Sequence, residues 1–206
     1  MPTSFFQDRH PPEKRRAGCA AEMERHLTEG GVMLAFAIHL LDQGATTVEI
    51  HPDGEHGKKF DFRGCLESRG FILGAPKGST SYGGSYERGA QRVVVNLTPG
   101  LGDVCAQVGA QRLVAECKGG VTNTRHAGQV SKLRRHLCEA VGLLMTRPAN
   151  GERQVAVVPE TSITIKLGKL IAPRAKEAGI EIALVHESGK VTFVEVGGGP
   201  KSLSGG

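Results

Sequence analysis

Glu116 and Lys118 stand two residues apart at the end of the run Arg112 to Lys118, whose apolar centre predicts a strand. Side chains on a strand alternate between faces, so these two leave one face while Ala115 and Cys117 leave the other. A carboxylate therefore stands beside an ammonium at the strand's end. The turn signal Gly109-Ala110 folds this strand back on a preceding one, Asp103 to Val108, which brings Asp103 toward Glu116. Two carboxylates on neighbouring strands make an oxygen-only donor set suited to Mg²⁺, with Mn²⁺ as a substitute, and the backbone carbonyl of Cys117 is a further candidate ligand. An ion held there would engage a phosphate oxygen and lower the pKa of its water, the chemistry of phosphodiester hydrolysis. Lys118 would stabilise the charge that develops on the phosphorane or orient the attacking water. The competing account is a solvated surface pair worth at most about 1 kcal/mol. Against it stand the apolar lead-in Leu113, Val114 and Ala115 and the Gly-Gly pair and basic helix that follow.

The stretch VVVNLTPGLGDVCAQVGAQRLVAECKGG resembles the core of the PD-(D/E)xK nucleases, the restriction-endonuclease-like superfamily. Asp103, Glu116 and Lys118 match its D…ExK signature, and the helix after them fits its α-β-β-β-α-β core. The likeness covers about residues 55 to 160 and departs from the pattern in placing Pro99-Gly-Leu-Gly, rather than Pro alone, before Asp103. It implies a Mg²⁺-dependent nuclease acting on DNA, an endonuclease of restriction, defence, repair or recombination. It also implies an acidic residue on a helix ahead of the first core strand. Asp61, in the helical run FDFRGCLESRG, is the candidate, with Glu55 and Glu22 behind it. Gln129, near the start of the basic helix, resembles the Gln that some resolvase- and RecB-like members use beside the site.

Regular elements must position these groups. The first ten residues read as untethered, and Pro11-Pro12 sets the start of a helix over about Glu13 to Thr28 that Gly30-Gly31 interrupts. A second helix over about Val32 to Gln43 carries Met33, Phe36, Ala37, Leu40 and Leu41 at helical spacing and closes at Gly44. Residues 1–45 thus read as an N-terminal helical extension, a cap or dimer element. Residues 46–196 read as the core: a strand at Thr46 to His51, a turn at Pro52-Asp53-Gly54 and a short helix at Phe60 to Arg69. A meander follows over Val93 to Leu97, Asp103 to Val108 and Arg112 to Lys118. The basic helix then runs from about Ala127 to Met145, ahead of a strand at Gln154 to Val158, a helix over about Thr164 to Ala178 and strands near Ile180 to Val185 and Val191 to Val196. Residues 74–92, rich in Gly and Ser, read as a mobile loop, and 197–206 as a flexible tail. The order predicts an α/β (α+β) fold, a mixed sheet flanked by helices.

The chain carries a formal charge of +5, and between Arg112 and Arg147 seven cations face only Glu116 and Glu139. The basic excess lies beside the candidate site and favours an anionic partner, DNA. Arg125, Lys132, Arg134 and Arg135 are candidate phosphate contacts. Lys77 and Arg88, with Tyr82 and Tyr86, could grip a nucleic acid from the loop. Five scattered cysteines without a CxxC pair read as reduced thiols in a cytoplasmic protein, small core residues with Cys117 foremost. Cutting both strands of a duplex favours a homodimer, or a larger defence or repair complex. A non-catalytic nucleic-acid-binding or assembly module is the alternative. A small-molecule enzyme lacks a P-loop, a GxGxxG after a strand or a GxSxG to support it.

Overall fold

The segment EGGVMLAFAIHLLD has almost no polar face, and a helix apolar all round belongs inside a core. The computed structural model describes residues 4–13, 23–148 and 150–196, and in it this segment forms helix α1 (Glu29–Asp42), buried from Gly30 through Ala37 and again at Leu40 and Leu41. The helix is therefore central packing, and the expected N-terminal cap is corrected. Gly30 and Gly31 do not interrupt it. They lie in its first turn, where a Cβ at Gly31 would meet the Phe5 carbonyl oxygen at 2.1 Å and one at Gly30 the Phe62 ring at 2.7 Å. The helix expected over 13–28 is also corrected at its end, because Glu24–Leu27 is strand β2. It pairs antiparallel with β1 (Phe6–Arg9), in a stretch expected to be untethered. Residues 14–22 lie outside the described residues, as do Glu22, Cys19 and the expected tail.

After α1 come β3 (Thr47–Ile50), α2 (Gly54–Lys59), α3 (Phe62–Glu67), β4 (Ile72–Pro76), β5 (Gly84–Arg88) and β6 (Gln91–Val95). Then follow β7 (Val104–Val108), β8 (Gln111–Cys117), β9 (Gly120–Val121), α4 (Ala127–Met145), β10 (Arg153–Pro159), α5 (Ser162–Glu177), β11 (Ile180–Val185) and β12 (Val191–Phe193). Among the described residues nine strands form one mixed sheet in the order β12-β11-β10-β8-β7-β3-β6-β5-β4, and β1, β2 and β9 form a second of three. The expected meander is half right: β7 and β8 form an antiparallel hairpin, but β3 lies between β7 and β6, parallel to β6.

Strand alternation then sorts the core into two layers. Leu113, Ala115 and Cys117 of β8 and Val155 and Val157 of β10 pack with α1, whereas Ala156 and Val158 pack with Leu137, Ala140 and Leu144 of α4 and Ala172 and Ala175 of α5. Glu116 therefore leaves β8 on the α4 side.

The expected mobile loop over 74–92 is instead the β4-β5 hairpin and the turn into β6. Its composition is polar, but Tyr86 is fully buried and its hydroxyl donates to the Tyr82 carbonyl at 2.8 Å. Gly84, at φ +152°, passes so near the facing strand that a Cβ would meet the Ala75 carbonyl oxygen at 2.7 Å. Among the described residues no helix is long and apolar enough to cross a membrane.

Candidate active site

Asp103 immediately precedes β7, and its carbonyl accepts from the His51 amide at 2.9 Å, fixing the strand's start against β3. The register Val104↔Ala115 sets Asp103 opposite Glu116 when extended by one residue. The Asp103 carboxylate accepts from the Cys117 amide at 2.7 Å. A strand residue's N–H and C=O face the same neighbour, so the Cys117 carbonyl also faces Asp103. Glu116 is 5 % exposed, above the small neighbour Ala156 on β10, and accepts from the Arg147 guanidinium just beyond α4. The Lys118 amide donates to Val157 at 2.9 Å, holding the strand end to β10, while its ammonium lies 3.2 Å from Glu29 and 3.5 Å from Glu139 of α4.

Glu29 reaches Lys118 for a backbone reason. Thr28 caps α1 by accepting from the Gly31 amide at 3.1 Å, which places Glu29 in the first turn. A Cβ at Gly119 would meet the Glu29 nitrogen at 2.5 Å and the Leu27 oxygen at 2.7 Å, so only glycine lets the chain beyond Lys118 lie against the start of this helix. Sequence reasoning missed Glu29. The available signal was Thr28 followed by an acid ahead of the apolar run, an N-cap and first-turn pattern hidden by extending the first helix to residue 28.

Asp61, the expected helix acid, is corrected. Its side chain caps α3, accepting from the Gly64 amide at 2.8 Å. The charges that act on Asp103, Glu116 and Lys118 include Glu29, Arg147 and Glu139 but not Asp61. Glu55 lies 3.7 Å from Lys59 on its own helix. Gln129 faces a cleft beside Glu29, Gly119 and Lys132. Arg125, Lys132, Arg134 and Arg135 are exposed on and just before α4.

Lys77 and Arg88 both make contacts within the fold. The Lys77 ammonium donates to Asn96 at 2.5 Å, and Asn96 donates in turn to Glu49 at 3.1 Å. Arg88 donates to Gln91 and to the Arg69 carbonyl and lies over the Phe71 ring at 4.4 Å. The tyrosines are corrected too: Tyr86 is core, and Tyr82 stacks on Phe62 at 5.7 Å between centroids. Cys65, Cys105 and Cys117 are buried as expected, but Cys138 is exposed on α4.

Burial, and then the Glu116 charge, push the Asp103 carboxyl up to about 7, against the Cys117 amide that favours its anion. Burial also raises Glu116, opposed by Arg147 and Lys118. Burial works against the Lys118 ammonium, but Glu29 and Asp103 outweigh it and its pKa is raised. Buried Glu116 and half-buried Asp103 thus share one place, with Arg147 and Lys118 the cations beside it. Among the described residues no group of three or more His, Cys, Asp or Glu converges closely enough to hold a metal. Asp103, Glu116 and the Cys117 carbonyl fit a hard cation in donor chemistry, and the Arg147 guanidinium now takes the Glu116 carboxylate.

No family model, curated protein or solved structure matches this chain.

A stability test reads the Asp103 shift directly. Its carboxyl loses its proton near the ordinary 3.8 when unfolded and near 7 in the fold. The folded state holds the proton longer, so this group lowers stability as pH rises between those values, and its whole penalty is present above about 7. Asp103→Asn keeps an acceptor for the Cys117 amide without the charge. Thermal melts in EDTA are expected to show a gain of about 1 kcal/mol, or about 2–4 °C, at pH 8. The gain should shrink toward pH 4; an equal change at both pH values would contradict the shift.

Proposed function

We propose that this chain is a metal-dependent nuclease that hydrolyses phosphodiester bonds in DNA, with Asp103, Glu116, Lys118 and Glu29 as its site. The observation that carries the reading is the carboxylate pair at the paired ends of β7 and β8, Glu116 buried and Asp103 half-buried, beside an ammonium held by Glu29 at 3.2 Å. The β7-β8 hairpin followed by α4 and by β10, with β8 parallel to β10, supports it, because that β-β-α-β part of the order is what the PD-(D/E)xK resemblance implies.

Mg²⁺, held by Asp103, Glu116 and the Cys117 carbonyl, would supply positive charge to the phosphate and acidify the attacking water. Lys118 is restrained by its two carboxylate partners and presents N–H donors to a phosphate oxygen or to the water as charge builds there. Glu29 fixes that ammonium and keeps it protonated. Burial of Glu116 and partial burial of Asp103 limit screening by water and strengthen each of these interactions. The exposed cations of α4 are positioned to meet a polyanion in a salt-dependent way. An endonuclease of restriction, defence, repair or recombination is the form this chemistry takes in the proposal.

One observation favours a second reading, a binding or assembly module without catalysis: Arg147 occupies Glu116, where a cation is needed. Cleavage of supercoiled plasmid and of single-stranded DNA in Mg²⁺, Mn²⁺ or EDTA separates the two. Cutting by wild type that requires metal and is lost in Glu116→Gln is expected. A folded, metal-supplied wild type that binds DNA and cuts neither substrate moves the assignment to the binding module.

A further inference from the structure

Directly beyond Lys118 the chain opens onto a cleft of about 340 Å³. Besides the start of α1 and the segment around β9, its walls come from four further parts of the fold: Arg9 ends β1, His26 lies on β2, Lys59 ends α2, and Gln129, Lys132 and His136 share one face of α4. Helical spacing explains that last group, since positions three and four apart stack on one side. The walls are tied together. Gln7 donates to the Lys59 carbonyl at 2.6 Å, joining β1 to α2, and β2 pairs with β9, Leu27 opposite Gly120. His136 Nδ1 lies 2.7 Å from the Gly119 carbonyl oxygen. A carbonyl only accepts, so Nδ1 carries the hydrogen and Nε2 is left to face the cleft.

The charge in this cleft is one-sided. Among the described residues that line it, Arg9, Lys59 and Lys132 bring three cations, while Glu29 is the only carboxylate and is already held by Lys118. Lys59 is shared with Glu55 at 3.7 Å, both of them exposed, an ion pair of small energy. Gln129 and His136 add hydrogen-bonding groups, while His26 Nε2 lies 3.1 Å from the buried Glu24 carboxylate. Such a set, opening where the catalytic strand ends, recognises a phosphate attached to something longer. Its volume lies at the small end of ligand sites and suits one nucleotide unit, not a duplex lying across it.

We infer that this cleft is a phosphate subsite for a single nucleic-acid strand, seating the nucleotide next to the scissile bond so that the substrate reaches Lys118 one strand at a time. The inference rests on the nuclease reading and adds to it a substrate form: a single-stranded segment or a frayed end. Lys132 and Arg9 are the principal phosphate contacts, with Gln129 and His136 orienting the sugar-phosphate between them.

The test is fluorescence anisotropy in EDTA with a labelled oligothymidine and with a blunt duplex of equal length. The proteins are wild type, Arg9→Ala/Lys132→Ala, and an equal charge removal elsewhere, Arg174→Ala/Lys176→Ala on exposed positions of α5. The cleft variant is expected to lose about tenfold or more in strand affinity. The slope of log K against log salt should fall by about 1.4, two contacts at about 0.7 each. The control should stay within about twofold, and wild type should prefer the strand to the duplex. Equal losses in the two variants, an unchanged salt slope or a preference for the duplex would each overturn the subsite. Metal-dependent cutting measured alongside keeps the two readings apart. Cutting with unaltered strand binding in the cleft variant removes the subsite and leaves the nuclease; strand binding through the cleft with no cutting in any metal removes the nuclease and leaves the cleft as a strand-binding site.

Discussion

Lys118→Ala is expected to lower the rate of DNA cleavage by about a thousandfold, chiefly in kcat, with little change in KM. The size follows from what the side chain is asked to do. Removing one donor aimed at developing charge in a water-poor site costs about 10²–10³ in rate. Lys118 is 15 % exposed at its side chain and held between Glu29 and Glu139, so its charge acts with little screening. A loss in kcat alone marks an interaction made in the transition state, whereas a rise in KM alone would mark ground-state binding. Lys118→Arg should recover little, because a planar guanidinium cannot take the place of a compact ammonium between those two carboxylates. The fold should survive, since the Lys118 amide keeps its bond to Val157. Cleavage that persists within about tenfold of wild type in a folded Lys118→Ala protein removes Lys118 from the chemistry.

How far this arrangement could be read from the chain depends on whether each signal was local. The strands β3, β7, β8 and β10 and the helices α4 and α5 follow from apolar spacing, and α4 begins and ends where its pattern predicts, Ala127 and Met145. Asp103, Glu116 and Lys118 come from the same local logic, a hairpin with a carboxylate at each paired end. The failures are non-local. ERHL has no alternating apolar face, and it is a strand because β1 and the two residues of β9 flank it. The segment 74–92 has loop composition, and Tyr86 alone gives it a buried anchor. Glu29 needed the knowledge that Gly119 lies against the start of α1, a contact between positions ninety apart. Asp61 looked equivalent in sequence and is a helix cap.

Arg147 is the residue for which local pattern gave no hint, and it leads to the second large effect. It counted only as one more cation of a basic stretch, yet its guanidinium meets the buried Glu116 carboxylate while its Nε has no partner among the described residues. Two physical consequences oppose one another. Without metal, the pair relieves a buried carboxylate, and breaking such a pair from one side is strongly destabilising, up to about 3–5 kcal/mol. With metal, the same guanidinium competes for the oxygen that the cation needs, and an ion can bind only by as much as it outcompetes this contact. Arg147→Gln is therefore expected to lower the thermal midpoint in EDTA by about 5 °C or more and to tighten Mn²⁺ binding by about tenfold, or 1.4 kcal/mol. The added metal should then restore more stability to the variant than to wild type, because binding to the folded state alone shifts the melting equilibrium. Calorimetric titration and melts with and without Mn²⁺ read both effects without any substrate. Weaker metal binding in Arg147→Gln would make Arg147 a support of the metal site instead of its competitor. If the competition holds, cleavage at low metal should rise in the variant even as its fold weakens, so the arginine trades occupancy of the site for a fold that is stable before the cation arrives.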